Sequence, residues 1–398
     1  MYEFLYIGLG NLDDKSWFGT QRFATALSGR NRVLFVERPY TFFEILRGAR
    51  RPERILHPIR RWNKNLFVFS PFFVLPFSAK RAILKRINRY LNLFFLKFLL
   101  RKLGMKNPIL WLDDPFESFY IGRVGEKLLI YNCLHEYSYQ PDQLNPDLGF
   151  QGGDEINWYN LNIEKRVLQR ADLVFCETPS RVDRKKRYNP HVFHLPHGVE
   201  FDLYSRALES DYVPGDIKSI PRPIIGFSGT INHEKIDFEL IDFLSSIRPQ
   251  WSFVFVGRIY RNTVIPSCIQ DKKNVYFLGE KKYSEVPHYV KLFDVCTIPY
   301  KVTRVTKDIQ TVKIYEYLAT GRPIVTTYMP QLLHLKGVIE IANDRDEFLE
   351  KVESSLKAGD NPTLREKRIA IAKQNSWANR AQKIEEIISS VESSNRNS

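Results

Sequence analysis

The chain has 398 residues, 43% apolar and 26% charged, with a net charge of +14 and a pI near 9.4. That length exceeds one ordinary core and suits two domains, and the composition is that of a folded protein rather than a disordered one. The positive balance calls for an anionic partner, whether nucleotide phosphate, anionic lipid or nucleic acid, and charge alone does not choose among them. An aromatic share of 14% is high and asks for a surface to explain it.

Short β-rich runs alternate with helical patterns from the first residue. EFLYIGL, RVLFVE, LFVFS, ILWLD, LLIYNC, DLVFCET and HVFHL read as strands ending in polar or Gly-containing loops, which predicts a parallel sheet covered by helices. Between Phe201 and Arg222 the chain turns polar, with Pro214, Gly215 and Pro221, and then PIIGFSG, SFVFVG, NVYFLG, FDVCTIP, PIVTTY and VIEIA form a second set. The expected fold class is α/β: two Rossmann-like doubly wound domains, 1–200 and 201–375, divided by a hinge near 200 to 222. Ligands of such sheets bind at the carboxyl ends of the strands, so two units facing each other would enclose a cleft. The last helix, 376–398, takes Asn375 or Ser376 as its cap, spaces Trp377, Ala381, Ile384 and Ile388 along one face, and is expected to pack back on the first domain.

The stretch KIYEYLATGRPIVTT, from Lys313, has the marks of a short helix. Thr311 or Gln310 would cap it, Gly321 would end it, and Pro323 would open the next strand. Its free N–H groups, at Thr311 and Val312, carry roughly half a positive charge, to which Lys313 adds a full one, and the pair suits a diphosphate. Glu316, one turn deeper on the same face, could accept both hydroxyls of a ribose, or form a surface pair with Lys313.

This stretch resembles the signature of GT-B glycosyltransferases, the retaining family-4 type and its relatives in cell-surface polysaccharide assembly. GTQRFATALSGRNRVLFVE, RADLVFCETPS, HLPHGVEFDLY, IIGFSGTINHEKIDFELIDFL and NVYFLGEKKYSEVPHYVKLFDVCTIPY support it in the expected order. The resemblance implies a nucleotide-sugar donor, linked to UDP, GDP or TDP, no cofactor, and a lipid-linked or glycan acceptor. Lys313 would then hold the diphosphate, Glu316 the ribose, and Asp308, where the family usually has Glu, the donor sugar. In the loop after the first strand of the second unit, Gly229 and Thr230 would bring backbone N–H groups to the phosphates, with Lys235, His233 or Arg258 supplying charge. On the acceptor side stand Gly10 and Trp17, although Trp17 could equally be core, and His135 and Glu136 follow the strand LLIYNC, where His135 could touch the donor sugar. His197 reads as structural.

Asp113 and Asp114 in WLDDP suggest a turn before Pro115 rather than a metal site, and no essential metal is expected. The four cysteines are far apart, without metal-ligand spacing, and read as buried thiols in a reducing compartment. The N-terminus shows no secretory signal and no run is long enough to span a bilayer, so a cytoplasmic site is expected, peripheral at the inner face of the membrane. From Lys80 to Lys106 the chain carries nine Lys or Arg and no acid, and Ile83, Ile87, Leu91, Phe94 and Phe98 form one helical stripe. That stripe lies on an anionic membrane, packs on the first sheet, or both, since the Phe and Leu from 93 to 100 exceed one face. A nucleic-acid-binding module finds no matching motif. Gly8 and Gly10 without a third glycine, with Glu37 as the acid ending the second strand, are weak marks of a dinucleotide site. An inactive GT-B scaffold serving as a partner subunit is the alternative to a transferase.

Overall fold

The computed structural model describes residues 1–14, 17, 19–39, 58–71, 82–134, 154–260, 263–307, 309, 311–359 and 361–396. His135, Glu136, Asp308 and Gln310 lie outside the described residues. The chain forms two compact units, 1–196 with 380–398, and 197–379.

The first unit holds an eight-stranded sheet. Its strands are β1 (Glu3–Ile7), β2 (Arg32–Val36), β3 (Ile59–Arg61), β4 (Leu66–Phe69), β5 (Ile109–Leu112), β6 (Leu128–Cys133), β7 (Leu173–Cys176) and β8 (Val192–His194), in the order β3-β4-β2-β1-β5-β6-β7-β8. Every pairing is parallel except β3 with β4. The inner strands, buried on both faces, read as continuous apolar runs, and the order reverses between β1 and β5, the switch point of a doubly wound fold. Trp111 of β5 stacks between Tyr6 and Phe175 at ring distances of 5.2 and 5.6 Å. Much of the aromatic excess is therefore core, each buried ring contributing about 3 kcal/mol.

The helix Ala82–Lys102 buries Leu93, Leu96, Leu99 and Leu100 against this sheet. The stripe Ile83, Ile87, Leu91, Phe94 and Phe98 lies on the opposite side and is exposed. Of the two readings of that stripe, packing on the sheet is therefore wrong. Among the described residues no helix is long and apolar enough to cross a membrane.

Segment 380–398 belongs to the first unit. Ala381, Ile384 and Ile388 of the helix Trp377–Arg396 are buried as its spacing predicts. Asn31 Nδ2 donates to Glu385 Oε1 at 2.6 Å, and Lys127 pairs with Glu392 at 2.5 Å. Ser376 rather than Asn375 caps this helix, its Oγ accepting from Asn379 N at 3.3 Å, while Asn375 closes the preceding helix Pro362–Gln374.

The second unit holds six parallel strands, β9 (Ile224–Ser228), β10 (Ser252–Val256), β11 (Val275–Phe277), β12 (Val295–Ile298), β13 (Ile324–Thr327) and β14 (Glu340–Ala342), ordered β11-β10-β9-β12-β13-β14. Its switch point falls between β9 and β12, which is where a Rossmann-like sheet presents its ligand crevice.

Candidate nucleotide-binding site

β9 is buried throughout and delivers its carboxyl end to the switch point. The next residue, Gly229, has φ +136, and a Cβ there would lie 2.0 Å from Lys313 Cε and 2.6 Å from Nζ. Only glycine both adopts that backbone and leaves room for the lysine. Gly257, after β10, presses on Gly229 in turn, since its own Cβ would stand 2.0 Å from the Gly229 carbonyl oxygen. The two loops continue side by side, with Ile231 N donating to Arg258 O at 2.9 Å and Tyr260 N to Ile231 O at 2.9 Å.

The helix Lys313–Thr320 crosses the same corner and ends at Gly321, φ 73. Its start differs from expectation. Val312 occupies the cap position with helical backbone and no side-chain cap bond, and among the described residues the buried Thr311 Oγ1 has no hydrogen-bond partner. Thr311 therefore does not cap the helix, because its hydroxyl does not reach the N–H groups of the first turn. Those of Ile314 and Tyr315 bond back to Thr311 O and Val312 O at 3.3 and 3.1 Å. Among the described residues no acceptor is found for the amides of Val312 and Lys313, so two donors remain at the positive end of the helix dipole.

The Lys313 ammonium lies 5.4 Å from the Phe227 ring centre and 6.0 Å from that of Tyr300. The side chain is half-buried and, among the described residues, has no carboxylate within ion-pair distance. Ring faces attract a cation without neutralising it, so the site keeps its demand for an anion. One turn on, Glu316 is buried and its Oε1 accepts from Tyr283 Oη at 3.0 Å. It is neither a surface acid nor paired with Lys313. Tyr317 fixes the helix to β9, its hydroxyl accepting from Ser228 N at 2.7 Å. Burial, and then the neighbouring Cys296, push this phenol well above its ordinary pKa, so it stays neutral.

The structure thus gathers Gly229, Lys313, Val312 and Glu316 at one corner, with the Arg258 backbone on the adjoining loop. The Thr230 and Arg258 side chains are exposed and Lys235 is half-buried. His197 packs edge-on against Trp377, rings 6.0 Å apart. Tyr283 and Tyr317 were not singled out from the sequence, and nothing in EKKYSEV marks the tyrosine that reaches Glu316. Among the described residues no three of His, Cys, Asp or Glu are grouped as metal ligands.

In the first unit the loop after β1 is held from within. A Cβ at Gly10 would meet Gln21 Nε2 at 2.3 Å, and Asp14 Oδ2 accepts from Asn11 N at 2.8 Å. Trp17, half-buried, donates to Leu12 O at 3.0 Å and lies beneath the Arg22 guanidinium at 5.3 Å. Glu37 accepts from Leu12 N, Ser70 Oγ and Arg60 at 2.9, 2.6 and 2.7 Å. A carboxylate so occupied ties loops together and leaves little for a ribose.

Asp114 caps the turn at Pro115 by accepting from Phe116 N at 2.9 Å, but Asp113 is no turn residue. Fully buried at the end of β5, it accepts on Oδ1 from Tyr6 Oη, Trp111 Nε1 and Asn132 Nδ2 at 3.2, 2.9 and 2.8 Å. Burial raises its pKa to about 6 despite these bonds. Cys133, Cys176 and Cys296 are buried as expected, whereas Cys268, on the short helix Ser267–Gln270, is exposed.

Two Rossmann-like units, the second with an anion-seeking corner at its switch point, define a protein of the GT-B fold. Residues 222–358 match the family described as Glycosyl transferases group 1. TuaH of Bacillus subtilis (strain 168), named as a teichuronic acid biosynthesis glycosyltransferase, is 30% identical over 226 residues, 54% of this chain. The match spans 56% of that relative, little more than half its length. Sucrose-phosphate synthase from Thermosynechococcus elongatus superposes with a TM-score of 0.69 at 14% identity, over 99% of this chain and 100% of the other. Anabaena HepE in complex with UDP-glucose does so with 0.64 at 15% identity, over 98% and 100%. At such identities these two establish the fold.

Proposed function

We propose that the protein is a glycosyltransferase that moves a sugar from a nucleotide-sugar donor to a lipid-linked or polysaccharide acceptor. It would act from the cytoplasmic side, with retention at the anomeric carbon and without an essential metal. The observation that carries this reading is the half-buried Lys313 ammonium beside Gly229, at the start of a helix whose first amides have no acceptor among the described residues. That corner suits the two charges of a departing nucleoside diphosphate, and stabilising a leaving group lowers the barrier without a protein nucleophile. Glu316, held by Tyr283, would receive ribose hydroxyls. The group 1 match of the second unit, the polysaccharide role in the name of TuaH and the UDP-glucose bound by HepE support the same donor class. Retention, Asp308 as the donor-sugar contact, and Gly10, Trp17, His135 and Glu136 on the acceptor side follow from the resemblance to family 4.

The test is release of UDP, GDP or TDP from a panel of sugar nucleotides, with Lys313→Ala and Glu316→Ala beside the wild type. Each substitution should lower release by about 100-fold or more, the range lost with one electrostatic contact to developing charge. Release that survives both would refute the reading. Binding of a nucleoside diphosphate without any turnover would instead identify a non-catalytic scaffold.

A further inference from the structure

We propose that the outer face of the helix Ala82–Lys102 docks on an anionic lipid bilayer. Ile83, Phe94 and Phe98 are 63%, 68% and 56% exposed, and Ile87, Tyr90 and Leu91 complete the patch. The helix already buries Leu93, Leu96, Leu99 and Leu100 on its other side, so the unit does not need this patch to fold. A helix apolar on two opposite faces wants two partners, and the sheet supplies one.

Charge selects the second. The helix carries six Lys or Arg and no Asp or Glu. Arg86 and Lys97 border the apolar patch on one side, Arg101 and Lys102 follow it at the C-terminal end, and all four are exposed. Arg89 is the exception, bonded inward to Phe116 O at 3.0 Å. An apolar strip edged with cations is what an interfacial helix offers to acyl chains and phosphate headgroups at once. At about 1.5 Å per residue the helix lies flat over roughly 30 Å, and it does not meet the length and apolarity needed to span.

The experiment is co-sedimentation of the full chain with phosphatidylcholine vesicles, with and without about 30% phosphatidylglycerol. No donor or acceptor is present, so failure here leaves the transferase reading standing. The wild type should bind the anionic vesicles at least about tenfold more tightly than the neutral ones, with binding weakened by salt. Phe94→Glu with Phe98→Glu, and separately Arg86→Glu with Lys97→Glu, should each lose about tenfold while circular dichroism and melting stay as in the wild type. Equal binding to both vesicles, or full binding by both variants, overturns the proposal. So does a wild-type dimer in sedimentation velocity that the Phe94→Glu, Phe98→Glu variant turns into a monomer, since a second copy would then cover the face.

Discussion

Replacing Asp113 by Asn should stabilise the first unit near neutral pH. Three side-chain donors converge on Asp113 Oδ1, whereas Oδ2 has no hydrogen-bond partner among the described residues, and Thr20 is a further polar neighbour of the carboxyl. A carboxamide can keep its oxygen at the Oδ1 place and turn its NH₂ toward Thr20, losing no bond and removing a buried charge. The folded pKa of about 6 stands above the ordinary 3.8, so the folded state holds this proton more tightly than the unfolded chain. The stability this gives is fully present below about pH 3.8 and is lost as pH rises through about 6; the difference corresponds to about 3 kcal/mol. Urea unfolding of wild type and Asp113→Asn from about pH 4 to about pH 7.5 isolates it, because other titrating groups cancel between the two proteins. Fluorescence of Trp111, bonded to the same oxygen, reports on this unit. The variant should gain about 2 kcal/mol on the wild type across that range. A variant weaker than wild type at about pH 7.5, or a difference flat with pH, would refute the argument.

Three other outcomes are expected. Gly229→Ala, with a Cβ 2.0 Å from Lys313 Cε on a φ +136 backbone, should weaken nucleoside diphosphate binding by about tenfold or more in calorimetry, while Tyr283→Phe should cost about fivefold, one lost hydrogen bond. Lys185→Met removes the cation with which Glu164 forms a buried pair at 2.8 Å; about 3–5 kcal/mol should disappear from the unfolding of the first unit. A thiol reagent on native protein should modify Cys268 and spare Cys133, Cys176 and Cys296; burial holds the Cys296 thiol at a pKa of about 12, and Cys133 is raised by its bond to Cys176 and by burial.

The strands from β1 to β14 were legible, β3 excepted, because the inner parallel strands, buried on both faces, must be continuous apolar runs, and the outer ones are still short β-rich runs ending in loops. β3, with the sequence IRR, is a half-exposed antiparallel edge, and nothing in three such residues sets it apart from a loop. Lys313 and Glu316 were legible through local signals, a short helix with a glycine stop. What holds them was not. Tyr283 reaches Glu316 across 33 residues and Tyr317 reaches Ser228 across 89, and periodicity carries no information at such separations. For Asp113 the neighbouring Pro115 gave a turn signal that Asp114 alone fulfils, while the burial of Asp113 depends on Tyr6 and Asn132 of other strands. On the helix Ala82–Lys102 the stripe was correct but its direction was not decidable, since both faces are apolar.

The first unit is discontinuous in sequence, and its closing piece is synthesised after the whole of the second. On the ribosome, residues 1–196 must wait with the seats of Ile384 and Ile388 open until 380–398 emerges, an interval in which unprotected apolar surface invites misassembly. Frameshifts or nicks near residue 380 should therefore harm the opposite end of the polypeptide, leaving insoluble product in which the second unit is intact.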